Sequence, residues 1–192
     1  MREVEKLIKS FKTRIYPTKE QIEYFHKAFG IRRWTWNWGL ESYMKSLNDK
    51  AKSSYDLQKE LNNGLVKDSN YSWLSEVNSM VRQESLKDLG LSIKRYHDEQ
   101  RKARTNTKSV SIEKFKPKFK SKKKTTNSFR YNNKGNPVKP ISKHYFTLTV
   151  KKGVKPLKIK TSESLMFLKD SKFCTITISE KAGKYYASIT YE

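Results

Sequence analysis

One cysteine, Cys174, stands in 192 residues. A single thiol excludes an internal disulfide and any zinc site built from several cysteines. Flanked by Phe173 and Thr175 in a strand-like run, it is expected to be a small buried hydrophobe. Histidine is scarce as well: His26, His97 and His144 lie far apart, and none has metal-ligand spacing. The sequence has no glycine-rich phosphate loop, no Gly-x-Ser-x-Gly elbow and no His-Glu-x-x-His helix. No apolar run approaches the roughly 18 residues of a membrane span, and the first residues, Met1 to Lys6, lack the apolar core of a secretion signal. Neither a hydrolytic centre nor a metal or organic cofactor is expected, and a membrane partner is not. The chain reads as an intracellular protein.

Acidic residues are also few. Nineteen Asp and Glu face 42 Lys and Arg, a formal charge of +23. A compact chain with that excess repels itself until a polyanion neutralises it; the two common ones are nucleic acid and an anionic membrane surface, and the absence of a membrane span or secretion signal favours nucleic acid. The excess is uneven. Residues 41–100 hold 9 basic and 10 acidic residues, whereas residues 101–192 hold 24 and 5. The middle should therefore behave as an ordinary folded helical module, with most of the attraction in the C-terminal half. Hydrophobic content is only 35%, but 11 Tyr, 9 Phe and 4 Trp can supply a core.

Leu7 to Tyr16 alternates with a period of two and predicts a strand that Pro17 ends. Thr18 with Gln21 has capping-box spacing, and Ile22, Phe25 and Phe29 recur at helical intervals. Gly30 is placed to stop that helix, and a second is predicted from Arg32 to about Leu47. Two short helices about a glycine have a helix-turn-helix outline. A long helix is predicted from Ser75 to about Arg104, with Val77, Met80, Val81, Leu86, Leu89, Ile93 and Tyr96 as its apolar stripe. Arg101 to Lys124 carries eleven basic residues against Glu113 alone, with Phe115 and Phe119 interleaved and Pro117 forbidding a regular helix. Strands are expected at 128–131, 144–150, 157–160, 174–178 and 184–191, with Gly183 at a positive-φ hairpin position.

Lysines and arginines release counterions from a phosphate backbone, and exposed aromatic rings stack on unpaired bases. Lys118, Lys120, Lys122 and Lys123, between two structured modules, are therefore candidate nucleic-acid contacts. RNA suits a small barrel, because single strands and irregular loops can lie across its face. Sequence choice in DNA needs side chains at base edges, and glutamine can pair bidentately with adenine. Gln83, off the apolar stripe, is the best candidate for that role.

Five stretches in order resemble the OrfB/TnpB proteins of insertion sequences, the transposase-associated RNA-guided nucleases related to compact CRISPR effectors. They are Phe11–Gln21 with Phe29-Gly30, Arg33, Asn37 and Leu40; Ser72–Val77; Gln83–Leu89; Lys118–Lys123; and Gly183–Ser188. The resemblance implies an α+β fold in which a small, wedge-like, OB-like antiparallel β-barrel carries an inserted helical recognition module. Residues 1–17 would be the first barrel strand, 18–104 the insert, 105–127 a basic linker and 128–192 the remaining barrel. It further implies a structured guide RNA on barrel and linker, and double-stranded DNA bearing a short transposon-adjacent motif. Tyr55, Ser79 and Gln83 would face that motif from the helices, and Arg130 and Tyr131 from the barrel. In the family the nuclease carboxylates follow the last of these strands, so residues 1–192 are expected to bind without cutting. An RNA-independent helix-turn-helix regulator and a general RNA-binding protein are the alternatives.

Overall fold

A computed structural model describes residues 7–105, 111–133, 138–151, 153–168 and 171–192. Strand β1 (Lys9–Tyr16) leads into helix α1 (Lys19–Ser46), then α2 (Ser54–Asn63) and α3 (Met80–Thr105). Short 3-10 turns occupy Leu65–Lys67, Ser69–Glu76 and Ile112–Phe115. Six strands follow: β2 (Ser128–Asn132), β3 (Val138–Ser142), β4 (Tyr145–Leu148), β5 (Leu157–Thr161), β6 (Phe173–Lys181) and β7 (Lys184–Tyr191). Residues 106–110 of the anticipated basic linker, and residues 1–6, lie outside the described residues. The chain forms two compact units. One holds the residues up to Gly30 with Glu76–Val81 and Thr126–Glu192, and the other holds Ile31–Ser75 and Arg82–Thr125.

In the first unit all seven strands form one antiparallel sheet in the order β2-β6-β7-β1-β5-β4-β3. Alternation decides its faces. Ile15, Phe129, Tyr131, Phe146, Leu148, Ile159, Ile176, Ile178, Ala187 and Ile189 are buried together on one side. The closed barrel is corrected: no ladder joins β2 to β3 among the described residues, so the sheet is open. It does curl far enough for Tyr131 Oη to reach Thr149 O at 3.3 Å. Strand β3 escapes sequence reading because Pro140 interrupts it. That proline is tolerated because β3 is an edge strand, paired only with β4. Cys174 lies at a register shift in β6 and is half-buried rather than buried.

The start of α1 covers the buried side. Phe25 lies 5.7 Å from Phe129 and 5.9 Å from Tyr185, centroid to centroid, and Phe29 lies 5.7 Å from Phe129. The anticipated capping box is formed: Gln21 N–H donates to Thr18 Oγ1 at 3.4 Å, and Thr18 N–H to Gln21 Oε1 at 3.2 Å. Gly30 does not stop the helix. Instead of two helices there is one of 28 residues. Interior glycine costs about 1 kcal/mol relative to alanine, whereas burying each flanking Phe29 and Ile31 contributes about 1.5–3 kcal/mol. Packing therefore overrides propensity.

The long helix begins later than its apolar stripe suggests. Asn78 Oδ1 accepts from Met80 N–H at 3.0 Å, and its Nδ2 donates to Thr149 O at 3.1 Å. This short polar residue thus sets the helix start, leaving Ser75 and Glu76 in a 3-10 turn. In the second unit Gly39 marks a close approach, since a Cβ there would lie 2.6 Å from Leu86 Cδ2 and 2.9 Å from Leu89 Cδ2.

Candidate nucleic-acid interface

The sheet register fixes which side chains share the face opposite the core. Arg14 pairs with Tyr186, Lys12 with Ser188, Tyr16 with Lys160, and Lys160 in turn with Tyr145. Farther out, Thr147 stands between Lys158 and Lys139, and Arg130 pairs with Thr177 beside Ser188. Six cations and three tyrosines therefore alternate with hydroxyl side chains. Three cations already lie over rings: Lys12 Nζ over Tyr186 at 4.8 Å, Arg14 over Tyr16 at 5.2 Å, and Lys158 Nζ over Tyr145 at 4.5 Å. Among the seven strands Glu180 is the one acidic residue. It follows the core-facing phase of Ile176 and Ile178, where Asn127 Nδ2 donates to it at 3.1 Å and His26 lies 3.7 Å away. Among the described strand residues, none on the outer face is acidic.

The second unit holds a separate basic segment. Trp36 Nε1 donates to Lys118 O at 3.0 Å, and Asn37 exchanges two hydrogen bonds with the Lys120 backbone at 2.7 and 2.9 Å. Asn37 thereby stands in for a neighbouring strand and holds residues 118–120 extended. Lys118, Lys122 and Lys123 are exposed, as candidate phosphate contacts should be. Lys120 differs. Its Nζ rests 3.3 Å from the Trp36 ring centroid, and burial, followed by the Arg32 charge, lowers its pKa to about 8. It packs against Trp36, whereas the other three lysines stand in solvent.

The remaining anticipated residues divide by burial. Tyr55 is 73% exposed on α2. Ser79 is exposed immediately before α3, and Gln83 is half-buried in its first turn. Arg130 belongs to the outer sheet face. Tyr131 does not: it is fully buried and its hydroxyl lies 2.5 Å from that of Tyr24. Burial first, and Tyr24 beside it, hold its pKa well above the ordinary phenol value. As adjacent strand residues, Arg130 and Tyr131 must point to opposite faces, so Tyr131 acts from within the core. The outer-face residues Lys12, Arg14, Tyr16, Tyr145, Lys158, Lys160 and Tyr186 were not singled out from sequence. Their signal was the alternation of Lys12 with Arg14 in β1 and of Lys158 with Lys160 in β5.

Residues 5–51 match the helix-turn-helix domain of insertion-sequence OrfB proteins. Over that segment the chain is similar to the N-terminal region of OrfB proteins. It is also 26% identical, over 191 residues, to a protein of Streptomyces pristinaespiralis named "Putative RNA-guided DNA endonuclease". That alignment takes in 96% of this chain and 41% of the relative, so the chain spans less than half of the relative's length. The matched segment takes the form of β1 and a continuous α1, without a turn at Gly30. No group of three or more His, Cys, Asp or Glu side chains is placed to hold a metal among the described residues, and none of their helices is long and apolar enough to cross a membrane.

Proposed function

We propose that this chain is the nucleic-acid-binding part of an RNA-guided system: it holds a structured guide RNA and helps select DNA carrying a short adjacent motif, without itself cutting. The observation that carries the reading is the acid-free outer sheet face, where cations and tyrosines alternate at strand spacing. Lysine and arginine neutralise phosphates, tyrosine rings stack on unpaired bases, and the intervening hydroxyls can meet sugar oxygens. Such a face is indifferent to sequence, which suits a system in which base pairing reads the target and protein reads only the motif. Gln83, with Ser79 and Tyr55, is assigned to the motif. The helix-turn-helix match and the name of the Streptomyces relative support the nucleic-acid-binding reading.

An RNA-independent regulator would insert the second helix of a two-helix unit into the major groove. The unbroken α1 gives that reading little support. The two separate in one experiment, retention of motif-bearing duplex by the purified chain before and after RNase. Selective retention that needs the RNA agrees with the proposal. Equal selective retention after RNase would replace it with the regulator.

A further inference from the structure

The second unit contains an aromatic recess that the RNA-guided reading does not use. Trp34, Trp38 and Tyr71, each partly exposed, line a pocket of about 450 Å³ with Asn37, Glu41 and the 57% exposed Phe119. Trp34 and Trp38, one turn apart on α1, lie nearly parallel at 11° with centroids 6.3 Å apart. Trp73 closes edge-on against Trp34 at 5.1 Å, and Tyr71 leans on it at 5.8 Å. Exposed flat rings this numerous are costly unless they meet a partner. The fold also fixes Phe119 in place, because its neighbours Lys118 and Lys120 are bonded through their backbones to Trp36 and Asn37.

We infer that this recess captures one unpaired nucleobase of a single strand whose phosphates lie along Lys118, Lys122 and Lys123. Charge decides the occupant. An aromatic pocket can also hold a quaternary ammonium group, but the acid here, Glu41, is already paired with Lys45 at 2.7 Å. The segment that carries Phe119 is lysine-rich, so an anionic ligand with a flat ring fits and a cation does not. Every base has a stackable face, so the site reads the presence of a base rather than its identity. This inference rests on the nucleic-acid reading above but concerns a different unit of the protein.

All four tryptophans lie at positions 34, 36, 38 and 73, so tryptophan emission reports on this unit and not on the tyrosine-bearing sheet. The test titrates the full chain with 12-nucleotide adenine strands of RNA and of DNA, and with abasic strands of the same length. The base-bearing strands should quench emission and bind about tenfold more tightly than the abasic ones, the gain of stacking one base. Phe119→Ala and, separately, Trp38→Leu should abolish the base-dependent quenching of the remaining tryptophans and reduce that tenfold difference to whatever the sheet tyrosines supply, while the abasic affinity stays, with thermal melting confirming that each variant folds. RNA and DNA arms that behave alike would place recognition on the base; an effect in one arm alone would show that the sugar contributes and which strand is the partner. Full persistence of the base-dependent quenching in both folded variants overturns the inference but leaves the nucleic-acid reading standing. Failure of every strand to bind at low salt overturns both.

Discussion

Removing two cations from the outer sheet face should change the salt dependence of single-strand binding by a calculable amount. Lys12, Arg14, Lys139, Lys158 and Lys160 are exposed there. For a single strand, each neutralised phosphate contributes about 0.7 to the slope of log K against log salt. Five contacts give a slope of about −3.5, and affinity then falls about 100-fold between 50 and 200 mM salt. Arg14→Ala with Lys160→Ala should reduce the slope by about 1.4, so that the same interval costs only about 20-fold if these five are the whole contact set. Lysines elsewhere that meet phosphate add to the total slope, but the decrement of about 1.4 does not depend on that total. Fluorescence anisotropy of a labelled 20-nucleotide RNA, titrated at four salt concentrations, measures both slopes. The two side chains lie on the wet face, so the melting temperature should hardly move. Parallel slopes for wild type and variant would refute the placement of phosphates on this face.

Two glycines of α1 should respond oppositely to alanine. At Gly30 an added Cβ meets nothing within 4 Å, so Gly30→Ala should gain about 1 kcal/mol of stability in urea unfolding. At Gly39 the Cβ runs into the fully packed Leu86 and Leu89, and Gly39→Ala should lose about 1–3 kcal/mol despite better helix propensity; equal responses would contradict the packing described. In the β6-β7 hairpin Ala182 sits at φ 49 beside Gly183 at φ 70, and Ala182→Asn should raise stability by about 1 kcal/mol, because asparagine tolerates that region better. Lys120 has its folded pKa depressed to about 8, first by burial, below an unfolded value of 10.5. The unfolded chain then binds more protons between those values, so stability rises with pH from about 8 toward 10. Denaturation curves of wild type and Lys120→Met should converge or cross in that window, and a constant offset would exclude Lys120 as the source. Gln83→Ala should relax the choice of DNA motif without changing RNA affinity, read by competition binding; an equal loss of both would remove Gln83 from the motif site.

Strand β1 was legible because its alternation is uninterrupted and Pro17 ends it, and the α1 cap because Thr18 and Gln21 keep their spacing. The β6-β7 hairpin was legible from Gly183. Gly30 misled because local propensity counts glycine as a stop and cannot see Phe29 and Ile31 buried on either side. Asn78 was overlooked because a capping side chain bonded to Thr149 is a contact across 71 residues, which no local pattern carries. Among the site residues, Tyr131 could have been set inward from sequence, since Phe129 and Tyr131 share a phase and Arg130 has the other. Lys120 could not, for its place over Trp36 depends on the Asn37 bonds that fold residues 118–120 back onto α1. The outer face of the sheet was half visible: Lys12 with Arg14, and Lys158 with Lys160, alternate in the sequence. Their union into one surface appears only when β5 is seen paired with β1.

The central claim is that this chain holds one particular RNA. It is tested most directly by sequencing the RNA that co-purifies with the protein expressed from its own locus. A single protected species, structured and ending in a variable segment, is the predicted result. A random sample of cellular RNA would contradict the claim and leave a basic binding module with no guide.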